Sequence, residues 1–125
     1  MTFLRRVLFA DAFASLASAA LLIAAPGPVS ELTGLSNALL LEAGLVLVPF
    51  VLLVVAVAAR PNTPRAGVQA IVAVNVLWVI GSVAVLAGPW FTPNALGYAF
   101  VIAQALAVGV LTELQVIGLK RAAIA

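Results

Sequence analysis

The sequence predicts an all-α fold: an integral membrane up-down four-helix bundle with both termini in the cytoplasm. Of the 125 residues, 66% are hydrophobic and 8% are charged, whereas a soluble domain has about 25% charged residues. The apolar residues form four stretches of roughly 20 residues, the length that crosses about 30 Å of hydrocarbon. The basic residues are confined to the chain ends and the middle connector. We therefore treat residues 1–125 as a single transmembrane domain.

The first span is predicted over about residues 7–25, after the basic pair Arg5 and Arg6 and before a Pro-Gly-Pro sequence that ends the helix. A basic start followed by an apolar stretch also suits a secretory signal peptide. However, Asp11 interrupts the apolar segment that a signal peptide needs. We therefore expect a membrane span here, and a cleaved signal peptide is the alternative.

The connector after the first span is predicted to hold one or two helical turns on the outer membrane surface. Pro28 suits the first turn of a helix, and Gly34 is a typical C-terminal stop. The apolar residues between them are spaced to lie on a surface. We expect a short interfacial helical turn, with a functional lid as the alternative.

The remaining spans are predicted over about residues 38–59, 67–87 and 95–118. Two threonines, Thr63 and Thr92, each precede a proline, which is a favourable first residue of a helix. We therefore predict Thr63 and Thr92 to be the N-caps of the third and fourth spans.

The distribution of basic residues predicts the orientation of the four spans. Positive side chains concentrate on the cytoplasmic side of a membrane. All six lie at the chain ends or in the middle connector: Arg5, Arg6, Arg60, Arg65, Lys120 and Arg121. Both termini are therefore predicted to be cytoplasmic. On the opposite side, Trp90, Phe91 and Tyr98 are predicted to lie at the membrane interface.

Composition also excludes several kinds of site. The chain has no Cys and no His, which excludes disulfides, cysteine nucleophiles, haem ligation, iron–sulfur clusters and most zinc and copper sites. Six basic residues are too few for a nucleic-acid surface. We expect no cofactor, no metal and no nucleic acid; the expected partners are the lipid bilayer and either further copies of the chain or other membrane subunits.

Three carboxyl groups lie within the predicted spans, where each costs about 2.5–3.5 kcal/mol near a helix centre. Asp11 and Glu113 lie at similar depth near the cytoplasmic ends, close to basic residues. We expect both to form ion pairs with these residues, and the alternative is that the two carboxyl groups share a proton or a cation. Asp11 also shares a face with Ser15 and Ser18 among alanines, which is typical of a helix-packing seam.

The third carboxyl group, on Glu42, has no basic residue on its own side of the membrane. About two turns deeper, Pro49 removes the backbone hydrogen bond to the carbonyl of Leu45. A water-accessible outer cavity would satisfy both groups. The alternative is that Glu42 reaches the outer headgroups and Pro49 only kinks the helix.

Two uncharged amides, Asn75 and Gln104, are predicted near the middle of the third and fourth spans. Such groups often hydrogen-bond between helices, with about 0.6 kcal/mol of stabilisation each and occasionally up to 2. We predict a hydrogen bond between Asn75 and Gln104, with ligand binding as the alternative. Gln104 shares its helix face with Gln115, whereas Glu113 points about 180° away from it.

The first outer hairpin carries a family resemblance. Its residues Ala25-Pro26, Leu32-Thr33-Gly34-Leu35-Ser36 and Leu41-Glu42-Ala43-Gly44 resemble those of the small DoxX-like four-span bacterial membrane proteins. The resemblance implies an up-down four-helix bundle in the bacterial inner membrane, often without an assigned function and sometimes an accessory to a larger membrane enzyme. Length and span number are also similar to the small multidrug-resistance exporters, which use an acidic residue in their first span.

We therefore expect a non-enzymatic accessory or assembly subunit that packs with itself or with a larger membrane complex. The alternative is a small proton-coupled transporter, acting as a homo-oligomer, with Asp11 and Glu42 as its protonatable groups. An intramembrane enzyme is not expected, because the serines of the spans have no His or Lys beside them to act as a base.

Overall fold

The computed structural model describes residues 2–124, with side chains through residue 121. These residues form five α-helices and no strand: α1 (Phe3–Ala24), α2 (Pro26–Thr33), α3 (Asn37–Ala58), α4 (Arg65–Ala87) and α5 (Ala95–Ile124). Four of them, α1, α3, α4 and α5, are long and apolar enough to cross a membrane. The all-helical prediction with four spans is confirmed, and it indicates a multi-pass membrane protein.

The N-caps of two helices, α4 and α5, differ from those predicted. Thr2 caps α1 by accepting from the backbone N–H of Arg5 at 3.2 Å, so this helix begins before its apolar stretch. Asn94, not Thr92, caps α5, since its side-chain oxygen accepts from the N–H of Gly97 at 2.8 Å. Thr63 does not cap α4, because the residue in the cap position is the following proline, without a side-chain hydrogen bond. Each predicted cap is therefore displaced by one or two residues.

The long helices meet in a ring of contacts. α1 packs most extensively along α3, and α4 packs along α5; α1 also contacts α5, and α3 contacts α4. Gly44 permits the close packing of α1 on α3, because a Cβ atom there would lie 3.0 Å from the side chain of Leu22. Arg5 joins the same two helices at their other end, where its Nε donates to the carbonyl oxygen of Ala58 at 2.8 Å.

The most deeply buried side chains all lie in one half of the molecule. This half contains the start of α1, the end of α5 and the α3–α4 connector, and we call its outer limit the terminal end. The apolar side chains there with 0% exposure are Leu8, Val54, Ala58, Val68 and Ile71. The four long helices therefore converge in the terminal half, and the space between them widens toward α2.

The short helix α2 lies at the opposite end, which we call the α2 end. Gly34 ends the helix with a φ of 76°, the left-handed conformation that glycine adopts most readily. Asn94 then fixes α2 to the start of α5, because its backbone N–H donates to Thr33 at 3.0 Å and its side chain donates to Leu32 at 2.9 Å. The predicted helical turn is confirmed as a helix, and it begins at Pro26 rather than Pro28.

Candidate functional site

A cavity of about 540 Å³ lies between the α1–α3 pair and the α4–α5 pair. Its walls are largely apolar, with leucine, valine, alanine and phenylalanine side chains from all four long helices. Its polar lining residues are Asp11, Ser15, Ser18, Glu42, Asn75, Trp78, Ser82 and Gln104. Four of the five candidate site residues predicted from the sequence line this cavity: Asp11, Glu42, Asn75 and Gln104. The fifth, Glu113, does not line it.

At the floor of the cavity, four side chains form a carboxyl–amide cluster: Asp11, Ser15, Asn75 and Gln115. Oδ2 of Asp11 accepts from the amide of Gln115 at 2.7 Å and from the amide of Asn75 at 3.0 Å. Oδ1 accepts from the hydroxyl of Ser15 at 3.3 Å, and the Asn75 amide also donates to Gln115 at 3.2 Å. Asp11, Asn75 and Gln115 are 2%, 3% and 0% exposed. This cluster therefore joins α1, α4 and α5 through a closed set of hydrogen bonds.

The partners of Asp11 differ from those predicted. All of its hydrogen-bond donors are uncharged, and Arg5, one of the two basic residues on the same helix before it, donates to a backbone carbonyl instead. Glu113 is exposed, and it lies two residues from the fully buried Gln115, about 200° around the helix. The predicted ion pair of Asp11 and the alternative of a proton or a cation shared with Glu113 are both wrong, because α5 turns its amide rather than its carboxyl toward Asp11.

Further toward the α2 end, three side chains form an indole–amide cluster: Trp78, Ser82 and Gln104. Trp78 Nε1 donates to Gln104 Oε1 at 2.7 Å, and Gln104 Nε2 donates to Ser82 Oγ at 2.8 Å. Gln104 Nε2 also donates to the carbonyl of Val101 at 2.9 Å, and Ser82 donates to the carbonyl of Trp78 at 2.8 Å. Trp78 and Gln104 are half-buried. Trp78 and Gln104 are therefore more exposed than Asp11, Asn75 and Gln115 of the carboxyl–amide cluster.

The predicted hydrogen bond between Asn75 and Gln104 is wrong. Neighbouring helices α4 and α5 run in opposite directions, so residues with increasing numbers along α4 face residues with decreasing numbers along α5. Asn75 therefore meets Gln115. Gln104 instead meets Trp78 and Ser82, which lie one and two turns beyond Asn75.

Glu42 lines the cavity from α3, and its side chain is exposed. The predicted cavity beside Glu42 is therefore present. Pro49 lies inside α3 but is exposed and does not line the cavity, nor does Leu45. The expectation that one cavity serves both the carboxyl group and the freed backbone carbonyl is wrong, because Glu42 lines the cavity and neither Pro49 nor Leu45 does.

The cavity opens between α3 and α4. These helices are in close contact at the connector, where a Cβ atom on Gly67 would lie 2.7 Å from Val57. Toward the α2 end, cavity-lining residues on the facing sides of the two helices are exposed: Val46 is 55% exposed and Leu77 is 66% exposed. Gly81 also lines the cavity, and a Cβ atom there would meet nothing within 4 Å. The opening is therefore lateral and has apolar edges.

Four members of the two clusters were not among the site residues predicted from the sequence: Ser15, Trp78, Ser82 and Gln115. The sequence signal for Trp78 and Ser82 is that they share a helix face with Asn75, because the three residues are spaced three and four positions apart. Within the described residues, every buried side-chain nitrogen and oxygen has a hydrogen-bond partner. The same residues contain no group of three or more His, Cys, Asp or Glu side chains that could hold a metal ion.

Comparisons of this chain with protein-family models, with curated proteins and with solved structures find no match. The function is therefore inferred from the cavity, its lateral opening and its two polar clusters. Together they form a largely apolar pocket with a few fixed hydrogen-bonding groups, which is the usual composition of a small-molecule site.

Proposed function

We propose that this chain is a non-enzymatic membrane protein that binds a lipid-like molecule from the bilayer in its cavity. The observation that carries this proposal is the cavity of about 540 Å³ with its lateral opening between two apolar helices. Small-molecule sites typically have volumes of about 300–1,000 Å³. A molecule dissolved in the bilayer reaches such an opening directly, without crossing water.

The proposed orientation is an up-down bundle in the bacterial inner membrane with both termini in the cytoplasm. The basic residues support it, because the terminal end of the molecule carries all six of them: Arg5, Arg6, Arg60, Arg65, Lys120 and Arg121. In this orientation α2 lies on the outer membrane surface, and the cavity lies in the outer half of the bilayer.

A binding role is favoured over catalysis by the partners of the serine hydroxyls. Ser15 donates to Asp11, Ser18 donates to the carbonyl of Ala14 and Ser82 donates to the carbonyl of Trp78. The Ser18 and Ser82 hydroxyls donate to backbone carbonyls, which are not bases, and Asp11, the carboxyl group beside Ser15, is held by the buried amides of Asn75 and Gln115. A protein that binds a ligand without changing it fits the accessory role expected from the sequence, in which the ligand passes to or from a larger membrane complex.

The test is native mass spectrometry of the protein released from nanodiscs made with host lipids. Gly81→Leu fills the cavity beside the opening, whereas Gly109→Leu adds the same side chain on α5 at a position that does not line the cavity. Both glycines have open space around a new Cβ atom, so neither change creates a clash there. We expect the wild type and Gly109→Leu to retain a bound lipid-sized molecule and Gly81→Leu to lose it. Equal retention in all three proteins would contradict the proposal.

A second candidate function is proton-coupled transport by a homo-oligomer. It is favoured by one observation: two carboxyl groups, Asp11 and Glu42, line the same cavity, one buried and one exposed. If ligand binding and protonation are coupled, protons should be released when dodecanol, used as a probe ligand, is added to the protein in weakly buffered nanodiscs. Release that persists unchanged in Glu42→Gln and Asp11→Asn would exclude this function.

A further inference from the structure

We propose that the cavity selects a single-chain amphiphile with an uncharged hydroxyl head, and that the indole–amide cluster binds this head. The inference rests on the proposed function and adds to it the class of ligand and the residues that distinguish it. It follows from the accessibility of the two polar clusters, from the charges that line the cavity and from the apolar edges of the opening.

The indole–amide cluster is the more exposed of the two hydrogen-bonded clusters in the cavity. The carboxyl–amide cluster is closed, since Asp11 already accepts three hydrogen bonds and is 2% exposed. Trp78 and Gln104 are half-buried and line the cavity. A ligand therefore reaches the indole N–H and the Gln104 amide before it reaches the floor.

A hydroxyl group matches this cluster. Gln104 already donates to a hydroxyl, that of Ser82, at 2.8 Å, and its oxygen accepts from Trp78 at 2.7 Å. A ligand hydroxyl both accepts and donates one hydrogen bond, so it can take the place of Ser82 at the amide nitrogen or of Trp78 at the amide oxygen. The cluster thus offers a donor and an acceptor to the same head group.

The charges along the cavity disfavour an ionised head at this cluster. The two ionisable residues in the lining, Asp11 and Glu42, are both acidic. An anionic head would meet both carboxyl groups and no basic lining residue. A cationic head would be attracted to the exposed Glu42 on α3 instead of the uncharged cluster on α4 and α5. Placing any charge at membrane depth without a partner is also unfavourable.

The apolar part of the ligand fits the lateral opening. Val46 on α3 and Leu77 on α4 form apolar edges, and the missing side chain at Gly81 leaves space between them. A single alkyl chain lies in this space and continues into the bilayer, while its head stays at the indole–amide cluster.

The test measures quenching of Trp78 fluorescence in nanodiscs by three brominated twelve-carbon probes, an alcohol, an amine and a carboxylic acid. Trp90→Phe provides the background, because Trp90 and Trp78 are the two tryptophans and Trp90 is 71% exposed. We expect the alcohol to quench at the lowest concentration. Gln104→Leu should raise that concentration about tenfold, whereas Gln69→Leu, the same change at an exposed position outside the cavity, should not.

A second variant keeps the test decisive if Gln104→Leu folds poorly. Ser82→Ala removes the hydroxyl that Gln104 Nε2 contacts, so the ligand hydroxyl gains a free donor and alcohol binding should tighten, with little change for the amine and the acid. Stronger quenching by the amine, abolished by Glu42→Gln but not by Glu31→Gln on α2, would overturn the inference. If all three probes quench equally and Gly81→Leu blocks the quenching, the cavity binds amphiphiles without selecting the head group. That result would overturn this inference but not the proposed function. Quenching that Gly81→Leu does not reduce would overturn the proposed function itself.

Discussion

The side-chain amide of Gln115 donates a 2.7 Å hydrogen bond to Oδ2 of Asp11, joining positions 104 residues apart in the chain. Asn75 donates to the same oxygen at 3.0 Å. One carboxyl group thus connects three of the four long helices, α1, α4 and α5. The fourth, α3, joins the bundle mainly by apolar packing on α1, and it forms one side of the lateral opening.

We predict that Asp11→Leu lowers the free energy of unfolding by about 2 kcal/mol, because it leaves the buried amides of Asn75 and Gln115 without their acceptor. Asp11→Asn should have a smaller effect, since it keeps one acceptor oxygen. Denaturation with sodium dodecyl sulfate, followed by circular dichroism, measures both. Glu113→Leu is the matched control at an exposed position, and a loss as large as that of Asp11→Leu would contradict the assigned network.

We also predict that Gly97→Ala loosens the contact of α2 with α5. A Cβ atom on Gly97 would clash with the carbonyl oxygen of Thr33, which also accepts the N–H of Asn94. We expect a loss of about 1–3 kcal/mol in the free energy of unfolding. Gly109→Ala, at a helical position with open space, should be neutral or stabilising by up to about 1 kcal/mol. The same denaturation experiment compares the two variants, and equal stabilities would refute the packing described for α2.

The proposed orientation predicts which connectors face the outside. The natural chain has no Cys, so a single introduced cysteine reports its own accessibility. Glu31→Cys on α2 should react with a membrane-impermeant maleimide in spheroplasts. Asn62→Cys in the α3–α4 connector should react only after lysis. Both residues are exposed, so the reverse labelling pattern would show that the termini lie outside.

The four spans and the short helix α2 were predictable from the sequence, because length, hydropathy and the Pro and Gly positions determine them locally. The faces of α5 were predictable as well, since helical periodicity alone separates Gln115 from Glu113. The partners were not, because they depend on how far α5 slides along α4. That offset places Asn75 beside Gln115, and it places Gln104 beside Trp78 and Ser82.

The cavity itself was only partly predictable. The position of Glu42, without a basic residue on its side of the membrane, predicted an accessible cavity near it, and Glu42 does line one. Its size and lateral opening depend on the divergence of α3 from α4 beyond their contact at Gly67. Divergence is a property of packing between whole helices, and no short sequence pattern reports it.

The measurement that tests the central claim most directly is a crystal structure of the protein grown from a lipid phase. If the cavity binds a molecule of the bilayer, elongated density should lie beside Gly81, with its polar end at Trp78 and Gln104 and its other end in the opening between α3 and α4. A structure in which α3 and α4 pack against each other along their whole length, with the cavity closed, would contradict the claim.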